Sequence, residues 1–108
     1  MRTLKFIVDD QIIKKDPNCN FDNLVPGTEG YMKAEFTFSP EWNGYIKVVG
    51  FYSMLGKEYP PKALIDGKSC DIPVEALARR AYRIRIFGKN GKQTLTTNKV
   101  SVEQNGGR

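Results

Sequence analysis

The sequence predicts an all-β fold, an antiparallel two-layer sandwich of immunoglobulin-like type with seven or eight short strands. Three observations carry that expectation. Apolar and polar residues alternate with a period of two over several short stretches, the turn dipeptides Asn43-Gly44, Asp66-Gly67 and Asn90-Gly91 recur between them, and helix formers gather only near residues 73–79. A small barrel is the second architecture compatible with this pattern. A chain of 108 residues is close to the commonest domain size, so residues 1–104 are expected to form one domain and residues 105–108 a flexible tail.

Each element has a local reason. Thr3 to Val8 alternates at once, and Asp9-Asp10 reads as a turn into a short strand from Gln11 to Lys14, in keeping with the turn preference of Asp. In the next strand Met32, Ala34, Phe36 and Phe38 share one face, with Tyr31, Lys33, Glu35 and Thr37 on the other. Trp42, the only tryptophan, stands beside Asn43-Gly44 and anchors a corner; as the largest apolar group there it reads as core ahead of a binding anchor. The run Ile46, Val48, Val49, Phe51 and Tyr52 suggests a central strand from Tyr45 to Ser53 covered on both faces.

Tyr59-Pro60-Pro61 blocks regular pairing, because proline lacks an amide donor. Lys62–Ile65 and Lys68–Ile72 flank Asp66-Gly67 and read as a tight hairpin, with Cys70 turned inward. Pro73 to Ala78 offers a proline start and helix formers, enough for one or two turns. From Ala81 to Phe87, Tyr82, Ile84 and Ile86 fall on one side and Arg83 and Arg85 on the other. Asn90-Gly91 then turns the chain into Gln93–Thr97, and Lys99–Glu103 closes the fold with Val100 and Val102 inward. Thr96-Thr97-Asn98-Lys99 reads as a bend or bulge whose hydroxyls and amide bond backbone, ahead of a contact surface.

Composition narrows the chemistry. With no histidine the chain lacks the usual general base and the commonest transition-metal ligand, and Ser-His and Cys-His mechanisms fall away. Two cysteines without histidine cannot assemble a standard zinc site within one chain, and no phosphate-binding glycine loop is present. The scattered carboxylates sit in no acid/base motif, so neither catalysis nor a cofactor nor a small-molecule substrate is expected. Met1-Arg2-Thr3-Leu4-Lys5-Phe6 lacks the apolar run of a signal peptide, and no stretch nears the ~20 apolar residues of a membrane span. The chain is expected to be made and to remain in a cytosol, or to be packaged from one, and there Cys19 and Cys70 stay reduced.

Trp42, Gly44, Lys47 and Phe51, then Cys70-Asp71-Ile72-Pro73 with Glu75 and Leu77, then Ile86-Phe87-Gly88 and Thr96-Thr97-Asn98-Lys99-Val100 follow one another in a recognisable order. That order, over roughly residues 31–102, resembles the immunoglobulin-like N-terminal domain of baseplate upper proteins from phages of Gram-positive bacteria. The resemblance implies a virion structural module, here as a short standalone chain, that docks to tail or baseplate proteins or to copies of itself and is found in the virion or the host bacterial cytoplasm.

Charge gives a functional signal that needs no family. Residues 76–102 contain Arg79, Arg80, Arg83, Arg85, Lys89, Lys92 and Lys99 and no acid, a charge of +7 in a chain whose net is +5, which leaves −2 for everything else. Arg79, Arg80, Arg83, Arg85, Lys89 and Lys92 are the candidate interaction surface. Protein partners are the first expectation. The alternative is a phage-encoded regulatory or inhibitory binder whose basic face engages nucleic acid or an acidic protein, although the stretch lacks the aromatic interleaving of a base-stacking platform and Tyr82 and Phe87 read as core or edge.

Overall fold

The structure is a computed structural model that describes residues 1–106. Two sheets pack face to face. The first runs in the order β2-β1-β3-β6, with β1 Arg2–Asp9, β2 Ile12–Lys15, β3 Met32–Phe38 and β6 Ser69–Asp71. The second is β5-β4-β7-β8, with β9 also paired to β7, and comprises β4 Ile46–Tyr52, β5 Lys62–Ala63, β7 Ala81–Asn90, β8 Gln93–Thr96 and β9 Val100–Glu103. From β3 onward the chain passes between the two sheets so that β6 lies beside β3 and β7 beside β4.

The alternation in the sequence explains the core. Leu4, Phe6 and Val8 of β1, Ala34 and Phe36 of β3, Val49 and Phe51 of β4, Tyr82, Ile84 and Ile86 of β7 and Val102 of β9 all point between the sheets and are buried. Trp42 ends the single 3₁₀ turn, Pro40–Trp42, and is fully buried as the corner anchor; its Nε1 donates to the carbonyl of Asp10 at 2.7 Å. The short helix α1, Val74–Leu77, starts after Pro73 and carries the chain from the first sheet to the second, with Ala76 and Leu77 sealing the core beneath it. Cys70 faces inward on β6, and both cysteines are free thiols.

The structure departs from the sequence reading in four places. There are nine strands among the described residues, more than the seven or eight expected, with the stretch after Asn90 divided between β8 and β9 as the sequence predicts. The sandwich is not antiparallel throughout: β1 and β3 run parallel, in register from Arg2↔Met32 to Val8↔Phe38. The intervening hairpin strand β2 and the long return from Asp16 to Tyr31 supply the crossover that a parallel pair needs. Asp66-Gly67 is a tight turn but closes no hairpin, since β5 pairs with β4 and β6 with β3 in the opposite sheet. The Asp66 carboxylate accepts from the Lys68 and Ser69 amides and the Ser69 hydroxyl, so the turn is held by its own side chain while the chain changes layers. Finally, β4 is covered on its outer face only from Gly50 to Tyr52, by side chains of its own sheet, and Ile46 stays exposed.

At the end of the chain, Gln104 is buried and the Gly106 amide donates to the carbonyl of Leu24 at 2.8 Å. The rest of the expected tail, Gly107 and Arg108, lies outside the described residues.

A basic, aromatic sheet face as candidate functional site

In β7 the period of two that sends Tyr82, Ile84 and Ile86 into the core sends Arg83, Arg85, Phe87 and Lys89 outward. Antiparallel pairing with β4 then decides their neighbours: Tyr52 opposes Arg83, Gly50 opposes Arg85, Val48 opposes Phe87 and Ile46 opposes Lys89. The outer face of the second sheet is therefore a ladder of cations and apolar groups.

Gly50 makes the centre of that ladder possible. A Cβ there would lie 2.6 Å from the Tyr52 hydroxyl and 2.8 Å from Cε2 of Phe87, so both rings fold over bare backbone. The Arg85 guanidinium sits 5.9 Å from the Tyr52 ring centroid and 5.8 Å from that of Phe87, and the Lys99 ammonium lies 4.2 Å from the Tyr52 centroid. These are cation–π distances, at which the ring quadrupole attracts the charge. Tyr52 is consequently only 4% exposed, covered by the cations it supports. Burial pushes its phenol pKa above the ordinary value, with Arg85 opposing the shift and Glu58 adding to it.

No carboxylate neutralises these cations. Among the described residues the one ion pair is Lys5–Glu35, at 4.0 Å on the first sheet, and the buried Nε of Arg85 makes no hydrogen bond. Glu58, bridged to Tyr52, and Glu103, opposite Ala81, are acids at the borders of the face. Arg83, Arg85, Lys89 and Lys99 thus present positive charge that, among the described residues, has no ion-pair partner, and Arg85 and Lys99 are in addition held over aromatic rings.

The six residues expected from the sequence do not converge on one spot. Arg83, Arg85 and Lys89 share the outer face, spread over about 20 Å of strand at ~3.3 Å per residue. Lys92 lies beyond it, in the turn between β7 and β8, while Arg79 and Arg80 lie at the other end, between α1 and β7. Sequence reasoning missed Tyr52, Gly50 and Lys99 as members, and the aromatic interleaving it failed to find is present across strands instead of along one. The period-two pattern Ile46-Val48-Gly50-Tyr52 was a usable signal; the register that places it beside Arg85 was not written in either strand.

Thr96-Thr97-Asn98, which carried part of the family resemblance, is a structural bend, as the sequence suggested. Thr97 donates its amide to the carbonyl of Ile86 and accepts the Ile86 amide on Oγ1, and Asn98 reaches the other sheet, donating its amide to Gln11 and accepting the Ile13 amide on Oδ1. The bend releases Lys99 toward Tyr52.

Among the described residues no group of three carboxylate or thiol side chains gathers as a metal site, and no helix is long and apolar enough to cross a membrane. Compared with known proteins, the chain matches no family model, no curated protein and no solved structure.

Proposed function

We propose that this protein is a non-catalytic structural or assembly module of a phage or prophage particle, which docks to tail or baseplate proteins through the outer face of its second sheet. The single observation that carries the docking reading is the unneutralised pair Arg85 and Lys99 braced on Tyr52 and Phe87, with Arg83 beside them on the same face. Pre-positioned cations on an apolar base suit an acidic protein surface, since little side-chain entropy remains to be lost on contact. The virion assignment rests on the order of motifs from Trp42 to Val100.

The same charge supports nucleic acid as a second reading. The burial of Tyr52 under Lys99 counts against it, because a base needs an open ring to stack on.

Mass spectrometry of gradient-purified particles from a strain carrying the gene tests the proposal. The chain is expected in the particles, cross-linked through Lys89 or Lys99 to an acidic neighbour, and the double reversal R83E/R85E is expected to be lost from them while remaining folded. Particles that lack the chain, or that retain the reversed variant equally well, overturn it. Tight binding to single-stranded or duplex oligonucleotides that falls steeply with salt and disappears in R83E/R85E would establish the second reading instead.

A further inference from the structure

Where β4 leaves its sheet, residues Ser53–Lys57 form a loop tied to itself. The Ser53 amide donates to the carbonyl of Lys57 at 2.8 Å and the Gly56 amide to that of Ser53 at 3.0 Å. The Ser53 hydroxyl oxygen accepts the amides of Leu55 and Lys57 at 3.2 and 3.0 Å. What this rigid loop displays is apolar: Leu55 is 100% exposed and Met54 42%.

Facing it is a second fixed segment, Arg79-Arg80-Ala81. Its anchor is Gln104, 2% exposed, whose Nε2 donates to the carbonyls of Leu77 and Arg79 at 3.0 and 2.6 Å and whose amide donates to that of Arg80 at 2.6 Å. Between loop and segment lies an open groove of about 420 Å³, walled by Met54, Leu55, Tyr59 and Ala81 and rimmed by Lys57, Arg79 and Arg80. No carboxylate lines it, and among the described residues neither arginine is in an ion pair.

We infer that this groove is a second docking site, which binds an acidic segment of a partner protein by taking one apolar side chain between Leu55 and Tyr59 while flanking carboxylates meet Arg79, Arg80 and Lys57. Three features select that occupant. The three rim cations call for negative charge and the walls for an apolar group, which a segment carrying both satisfies and a plain polyanion does not. The site is concave, which fits an inserted side chain better than the flat surface of a bilayer. Both walls are already fixed, by Ser53 and by Gln104, so binding spends little on ordering loops, the condition under which a few exposed apolar and arginine side chains act as anchors. The inference is independent of the virion reading and uses none of Arg83, Arg85, Phe87 and Lys89 on the outer face of β7.

The test is a titration of the ¹⁵N-labelled protein with a short synthetic peptide bearing a central Leu-Phe pair between Asp and Glu residues. Controls are the same peptide with Ser for the pair, the same peptide with Lys for the acids, and vesicles of phosphatidylcholine with phosphatidylglycerol. Amide shifts are expected at residues 53–57 and 79–81. The Ser peptide, and the variants Leu55→Ser and Arg79→Glu, are each expected to bind about tenfold more weakly, with Arg83→Glu unchanged.

Binding of the Ser peptide as tight as the parent, or shifts along β7 that vanish in Arg83→Glu, would reduce the groove to general electrostatics and overturn the inference. Leu55-dependent binding to vesicles without binding to the peptide would overturn it in favour of a membrane surface. Leu55-dependent self-association in sedimentation without peptide binding would overturn it in favour of a second copy. Particles that lack the parent chain, with its peptide binding intact, would sink the virion proposal and leave this one standing.

Discussion

At Gly88 a single missing carbon decides how Trp42 sits. A Cβ there would stand 2.6 Å from Cζ3 and 3.0 Å from Cε3 of Trp42, in a corner where the indole is fully buried and bonded to Asp10. The Gly88→Ala variant is therefore expected to lose about 1–3 kcal/mol, the usual cost of overpacking a filled core, read as a lower urea midpoint with an unchanged slope. Cys70 shows the same burial through its acidity. Desolvation, helped by the nearby Asp71 carboxylate, pushes its thiol from 9.0 up to about 12. The folded state then favours the neutral thiol, so this contribution to stability is complete below pH 9 and is lost as pH rises toward 12. Urea midpoints measured across that range should fall less steeply for Cys70→Ala than for the parent; parallel slopes would contradict the assignment. Cys70 was legible in part, since the pattern of its strand turned it inward, but neither residue's neighbours could be read from the sequence.

At the scale of elements, β8 and β9 share one edge of β7, and the bend between them joins the two sheets. Thr97 fills the ladder position opposite Ile86 with a hydroxyl, and Asn98 closes the β2 edge by accepting the Ile13 amide at 2.8 Å. Replacing Asn98 by Ala leaves that amide, on a residue only 2% exposed, without its partner. The expected cost is about 1–3 kcal/mol, the penalty for a buried donor left unsatisfied. Amide hydrogen exchange should locate it, with Ile13 accelerating in Asn98→Ala and much less in Asn98→Asp, which keeps an acceptor. Strand positions and facing were readable here because the period of two shows directly in segments such as Tyr82-Arg83-Ile84-Arg85-Ile86. Pairing was not readable: nothing local to Lys62-Ala63 or Ser69-Cys70-Asp71 says that the turn between them crosses from one sheet to the other. The partner of a strand is fixed by the layers around it, and the same turn chemistry at Asp66-Gly67 serves a hairpin or a crossing equally well.

For the whole molecule, the excess of positive charge was plain in the composition of residues 76–102, and the structure divides it into two places of different character. Arg85 and Lys99 lie on aromatic rings along a sheet with Arg83 beside them, while Arg79 and Arg80 rim an apolar groove at its end. Residues far apart in sequence complete both: Tyr52 and Gly50 the first, Met54, Leu55 and Gln104 the second. Charge is additive along a chain and therefore visible from it, whereas a surface is a product of register and is not. The parallel seam between β1 and β3 bears on a different matter, the order of manufacture. As the chain leaves a ribosome, β1 and β2 emerge first, yet the flank of β1 waits for residues 32–38 and the free edge of β2 for Asn98. The first pairing spans 30 residues and the Ile13–Asn98 bond 85, which makes the second the later and slower to form. The edge of β2 is thus sealed only once residue 98 has emerged, and until then that bare edge is the part of this protein a chaperone would find to hold.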